Sequence, residues 1–257
     1  MLAPTMPALR LAELTTVAVE ALLALPHPVA LLPVGSTEPH GPHLPLATDT
    51  LLSEHTCVLA ARALRARGVA AVACPPLPYG VTHYADGFAG AISLSAATTE
   101  AMLRELCAAH RAAGFERVVV VNHHLEPAHI DAVTRAVAGV DGALFPTQLS
   151  RRWGRLLGEE FKKGECHAGS YESSLVLAAR PELVDEAVRA ELAEVPISLS
   201  KAMREGLTTF KAMGAARGYF GNPSAASAEE GRELYAHLVE MVVTEVCESL
   251  SIGTVVG

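Results

Sequence analysis

The sequence predicts an α/β protein, a three-layer α/β/α arrangement with a mostly parallel sheet between helices. Three observations carry this prediction. Short apolar runs alternate with longer amphipathic stretches, which is the pattern of βα units. Half of the 257 residues are apolar and 19% are charged, so the chain can bury a sizeable core. No internal repeat or low-complexity linker divides it, and one domain over residues 1–257 is expected.

Residues 29–34 (VALLPV) read as a buried strand, because the apolar run is continuous rather than alternating. The polar turn Gly35-Ser36-Thr37 ends it. A helix is predicted over 50–67: Leu51, Leu52, His55, Leu59, Ala63 and Arg67 trace its spacing, and Gly68 stops it. A second strand over 69–74 is broken by Pro75 and Pro76, and 78–90 is a long polar loop. A helix over 98–113 is closed by Gly114. Residues 117–121 (RVVVV) form the clearest strand, β-branched and apolar. The next helix starts near Pro127, since proline suits a first turn. A further strand is read at 142–145, a helix at 170–179 and a long C-terminal helix at 229–250, whereas 187–221 carries no consistent pattern.

Composition excludes several functions. The net charge is −8, from 20 basic and 28 acidic residues, and no Lys/Arg run stands out, so nucleic acid and anionic membranes are poor partners. No secretory signal and no stretch of roughly 18 apolar residues is read, so a cytoplasmic protein with no membrane partner is expected. The five cysteines (Cys57, Cys74, Cys107, Cys166, Cys247) are odd in number and form no C-x-x-C pair, which fits a reducing compartment and argues against a thiolate zinc site.

In open α/β sheets, ligands bind beyond the carboxyl ends of the strands, and two polar clusters lie there. The first follows strand 29–34 and contains Glu38, His40, His43 and Asp49 in a loop rich in Gly and Pro. Carboxylates and imidazoles are ligands for Zn²⁺, Mn²⁺ or Fe²⁺. Glu38 and His40 are two apart, so an extended backbone points them the same way. The same loop also reads as a cap for the following helix, with Asp49 at the N-cap. The second cluster, Asn122-His123-His124-Leu125-Glu126, follows strand 117–121 and repeats the carboxylate/imidazole spacing in reverse order. It too has a plainer reading, a strand-end turn capped by Asn122.

The stretch LLPVGSTEPHGPHLPLATDT resembles the signature of the creatininase (creatinine amidohydrolase) family. VVVVNHHLEPAH, CHAGSYESS and GYFGNPSAASAEEG resemble its later motifs, in the same order, and together they span most of the chain. The resemblance implies two divalent ions per chain, Zn²⁺ or Mn²⁺ with Fe²⁺ as an option. Glu38 and His124 would hold one ion, His40 and Glu126 the other, and Asp49 would bridge them. It implies that His167 is the catalytic histidine that protonates the leaving nitrogen, that Glu172 assists it, and that Thr82, His83 and Leu125 contact substrate. His43 is expected to support the ligand loop, the role of His123 stays open, and His27, His55, His110, His129 and His237 are expected to be surface or satisfied residues. The family usually forms hexamers, so a homo-oligomer is expected.

The chain departs from the family where substrate binds. Creatininase proper carries a Trp shortly before its H-A-G motif, but Phe161-Lys162-Lys163 stands there and the sole tryptophan is Trp153. The lysines point to an anionic substrate. The expected activity is hydrolysis of a C–N bond in a small, possibly cyclic, amide through a metal-activated water. The alternatives are peptide trimming, removal of a formyl group, or a non-catalytic binding protein on the same fold. Glu126 favours the first, because many relatives lack a carboxylate at that position.

Overall fold

The interiors of the central strands are apolar because both of their faces are covered. The computed structural model describes residues 8–252. In chain order it contains α1 (Thr16–Leu23), β1 (Pro28–Val34), α2 (Thr48–Arg65), β2 (Ala70–Ala73), α3 (Ala96–Ala112), β3 (Arg117–Asn122), α4 (Pro127–Ala138) and β4 (Ala143–Leu144). There follow α5 (Arg151–Gly154), α6 (Gly158–Lys163), α7 (Ser170–Ala179), α8 (Glu186–Ala190), α9 (Leu199–Arg204) and α10 (Ala228–Ser249). The strands pair in parallel in the order β2-β1-β3-β4.

Successive side chains of a strand point to opposite faces. Accordingly Val29, Leu31, Val119 and Val121 enter a core shared with α2, α7 and α10. Ala30, Leu32, Val118 and Val120 enter a second core with α1, α3 and α4. A third, separate cluster joins Leu199, Ala202, Phe210, Met213 and Phe220 with Ala85. Register pairs Val34 with Asn122, so β1 and β3 end at the same level and release their polar clusters side by side.

Two findings differ from the sequence reading. Helix α2 starts at Thr48 with Ala47 as its N-cap, so Asp49 lies inside the first turn and is buried instead of capping. Helices α1, α5 and α6 were not anticipated, because they span only eight, four and six residues, too few for a period to show. Within the pattern-poor segment lie the short helices α8 and α9. Among the described residues no helix is long and apolar enough to cross a membrane.

Candidate metal centre and active site

Glu38, His40 and Asp49 are each at most 1% exposed, an unusual place for ionisable groups unless they are paired or bind a cation. His40 Nδ1 lies 3.1 Å from the Glu38 carbonyl, which only accepts, so this nitrogen keeps its proton and Nε2 is the nitrogen whose lone pair is exposed when the ring is neutral. Nε2 sits 3.2 Å from Asp49 Oδ1 and 3.4 Å from Glu172 Oε2. His124 has the opposite tautomer. Its Nε2 donates to the Val81 carbonyl at 2.6 Å, leaving Nδ1 at 3.1 Å from both Glu38 Oε1 and Asp49 Oδ2. The two oxygens of Asp49 therefore face different histidines.

A closed set of hydrogen bonds holds His124. The Val81 N–H donates to His129 Nδ1 at 3.3 Å, so the proton of His129 is on Nε2, which donates to Asn122 Oδ1 at 3.0 Å. Asn122 in turn donates from Nδ2 to the His124 carbonyl at 2.6 Å. Gly80 is required beside this ring, because a Cβ there would lie 2.4 Å from His129 Nδ1. Asn122 thus spends its side chain on the backbone of the second cluster and does not cap α4, whose N-cap is Glu126.

The described side chains that could hold an ion fall into three overlapping groups: Glu38-Asp49-His124, His40-Asp49-Glu172 and Glu38-His40-His167. Within each, the donor atoms lie within 4.8 Å of one another. Two further observations fit a cation. The ion pairs of the buried carboxylates Glu38, Asp49 and Glu172 are all to histidines. His40 Nε2 and Asp49 Oδ2 are buried without a properly directed hydrogen bond, although opposite charges lie close by. Lone pairs converging at short range with poor hydrogen-bond angles are what a metal site needs.

Electrostatics gives the same picture. Burial raises the Glu38 carboxyl, but the charge and hydrogen bond of His124 outweigh it and bring the carboxyl down to about 2. Burial lowers His40, but Asp49 and Glu172 carry it up to about 10. His124 is likewise held well above the usual histidine range against the cost of burial, by Glu38 and Asp49. Protons therefore occupy the positions where positive charge is demanded. Burial, opposed by His40, leaves Glu172 raised to about 8.

The site differs from the expected one in the placement of two glutamates. Glu126 lies outside the three groups: its carboxylate accepts the N–H groups of His83 and Tyr84, both at 3.1 Å, and faces the cavity. Glu172, expected beside the catalytic histidine, takes that place next to His40 and Asp49, with its Oε2 also accepting the Ala168 N–H at 2.6 Å. Glu172 is brought there by a segment that turns through Ala168, at φ 52°.

These groups open into a cavity of about 360 Å³ walled by Tyr84, Leu125, Leu149, Phe161, Met203 and Phe210. Leu125 is among the lining residues. Thr82 and His83 are not. Thr82 is fully buried and donates its hydroxyl to Glu38, while His83 points outward beside Asp86. Tyr84, the next residue, lines the wall and was missed because its spacing carries no signal. His167 lines the cavity, its Nε2–H donating to the Pro39 carbonyl at 3.1 Å. Burial, aided by the positive His40, lowers His167 to about 4. His43 is buried outside the cavity and bonds Ser173 Oγ at 2.8 Å, while His123 lines the cavity and bonds Thr56. Lys162 is at the wall, on helix α6 and not in a loop, and pairs with Glu159. Trp153 is buried elsewhere, its indole bound to Glu245. Cys166 lines the wall with its thiol pushed up by burial, which is poor preparation for a nucleophile.

Comparison with known proteins agrees. The family model for creatininase, described as creatinine amidohydrolase, matches residues 12–246. A mycofactocin precursor peptide peptidase of Mycolicibacterium smegmatis is 32% identical over 225 residues, spanning 82% of this chain and 81% of that protein. A creatinine amidohydrolase of Pseudomonas putida is 29% identical over 198 residues, spanning 67% of this chain and 72% of that one. A solved structure, "Creatininase Mn", aligns with a TM-score of 0.74 over 95% of this chain and 99% of its own, at 23% identity, which speaks to the fold.

Proposed function

This chain belongs to the creatininase family, and on that premise we propose that it is a binuclear metal-dependent hydrolase that cleaves an amide C–N bond. The observation that carries the proposal is Asp49, whose two oxygens face the inward nitrogens of two different histidines. Glu38, Asp49 and His124 would hold one ion, and His40, Asp49 and Glu172 the other, with Asp49 as the bridge. The donor set suits Zn²⁺ or Mn²⁺. Ions held by these residues would supply Lewis acidity toward an amide carbonyl and a water acidified toward neutral pH.

The chain's own groups handle the proton. The Glu126 carboxyl stands on the cavity wall, raised chiefly by burial and steadied by two N–H bonds. A carboxyl raised in this way is suited to take a proton from water and return it to the leaving nitrogen. His167, neutral and with its Nε2–H tied to Pro39, keeps its ring against the reacting amide and leaves Nδ1 as an acceptor. We therefore assign proton delivery to Glu126 acting with His167. Phe161, Phe210, Leu125 and Met203 exclude water around the bond.

For the substrate we favour an amide in a short peptide. The relatives bearing a peptidase name align over more of the chain than the creatinine amidohydrolase does. The volume and apolar walls fit a group larger than a small planar ring. A small cyclic amide is the second reading, and the carboxylate at Glu126 favours it. The test is metal content of wild-type protein purified without chelator, followed by a screen of peptides, creatinine and other cyclic amides. About two ions per chain and turnover of a peptide would support the first reading. Turnover of cyclic amides alone would select the second, and a protein that takes up no ion would refute both.

A further inference from the structure

We propose that Glu160, which neither belongs to the ligand groups nor lines the cavity, is a positioning residue that holds the Glu172 side of the centre. The inference rests on the binuclear reading above.

Helix α7 lacks a side-chain cap of its own. It has ten residues, and its N-cap is Gly169, which has no side chain to accept the free N–H groups of the first turn. Glu160 supplies the acceptor from another helix. Its Oε1 accepts the Tyr171 N–H at 2.9 Å and its Oε2 the Ser170 N–H at 2.9 Å. A carboxylate at a helix N-terminus is also favoured by the helix dipole. The same Oε2 accepts the Asn222 N–H at 2.8 Å, which ties in the segment whose Phe220 N–H donates to the His167 carbonyl at 2.8 Å.

The fit around the carboxylate is close. A Cβ at Gly169 would lie 2.3 Å from Oε1, and one at Gly221 would lie 2.2 Å from Oε2. Two glycines therefore admit the carboxylate between the segments that it joins. Those segments carry His167 and Glu172. The helix that supplies Glu160 also supplies Phe161 and Lys162 to the cavity wall. One side chain thus sets the wall and the helix-borne ligand against each other, while Glu38, Asp49 and His124 do not touch it.

The test is titration of chelator-stripped protein with Zn²⁺ by calorimetry, wild type beside Glu160→Gln, with Co²⁺ absorption spectra as a second readout. Glutamine keeps the shape but turns an amide NH₂ toward an N–H donor. One of the two binding events should weaken by roughly 10–100-fold, the scale expected when support of a ligand is lost, with the other unchanged. One cobalt spectrum should change and the other persist. Two unaltered events would overturn the inference, as would equal weakening of both, which signals general loosening. A wild type that binds fewer than two ions would overturn the binuclear reading and this inference with it. Gly169→Ala reaches the same contact from the other side, at a backbone φ of −83° that alanine adopts freely. It should reproduce the selective loss even if Glu160→Gln yields no folded protein, and two intact events there would also overturn the inference.

Discussion

Glu38 and His124 leave the ends of adjacent parallel strands, whereas Glu172 comes from α7, across a segment with a left-handed alanine. The strand side is held by backbone register and by the ring of bonds through Val81, His129 and Asn122. The helix side has no ladder to set it, and side chains do the holding: Glu160 at the start of α7 and His43 on Ser173. The contrast shows that two halves of one centre can be equally buried and yet depend on different interactions. One half is fixed by the sheet and the other by a few polar contacts.

Four measurements would break or sharpen that contrast. Asp49→Ala removes the one group common to both sides, so metal content by mass spectrometry should fall to near zero and activity should vanish. One fully retained ion would mean that the sides are independent and Asp49 is no bridge. Glu126→Gln should retain both ions and lower kcat by roughly 10²–10⁴-fold, the usual worth of general acid–base catalysis. Loss of an ion would return Glu126 to the ligands.

His129→Phe keeps bulk and removes both hydrogen bonds that set the strand side. Affinity of one ion should drop by roughly 10–100-fold, as for other supports of a ligand histidine, without change in the second. Equal weakening of both would erase the distinction between the sides. The smallest effect is on pH. In stripped protein, His40 is raised to about 10 and His124 well above its usual value, so both are protonated at neutral pH and a bound ion must displace a proton from each side. Apparent affinity should therefore rise with pH, by at least about tenfold per unit for each side and more steeply on the His40 side while Glu172 also holds a proton, until the stripped groups deprotonate. Calorimetry in buffers of different ionisation enthalpy checks this, and heats independent of buffer would refute it. In stripped protein His40 also contributes to stability: its folded-state value is raised, so its contribution is present below about 6.5 and is lost as pH rises toward about 10.

The same contrast explains what could be read in the sequence. Strand β3 and helix α7 lie within one residue of their expected bounds, because a β-branched apolar run states the strand locally and Gly169 and Pro181 bracket the helix. Glu38, His40 and Asp49 were visible as a polar cluster beyond a strand. Glu126 is expected as a ligand and Glu172 as an assistant, whereas Glu172 is the one whose carboxylate lies in a group with His40 and Asp49; each follows a histidine near an element boundary, so local pattern does not separate them. Thr82 and His83 were favoured over Tyr84 for a similar reason, since a loop without a period does not reveal which residue turns inward. Glu160 gave no signal at all: its partners are backbone N–H groups ten or more positions away, and backbone has no letter in the sequence.

The third apolar cluster has a practical consequence. It gathers Leu199, Ala202, Phe210, Met213 and Phe220 apart from the two cores that flank the sheet, and two of the cavity's walls, Leu199 and Phe210, belong to it. The ion ligands sit on the other framework. Segment 199–215 therefore shapes the substrate end of the cavity without supplying an ion donor, and it reaches the proposed chemistry through one contact, Phe210 against the His167 ring at 4.4 Å.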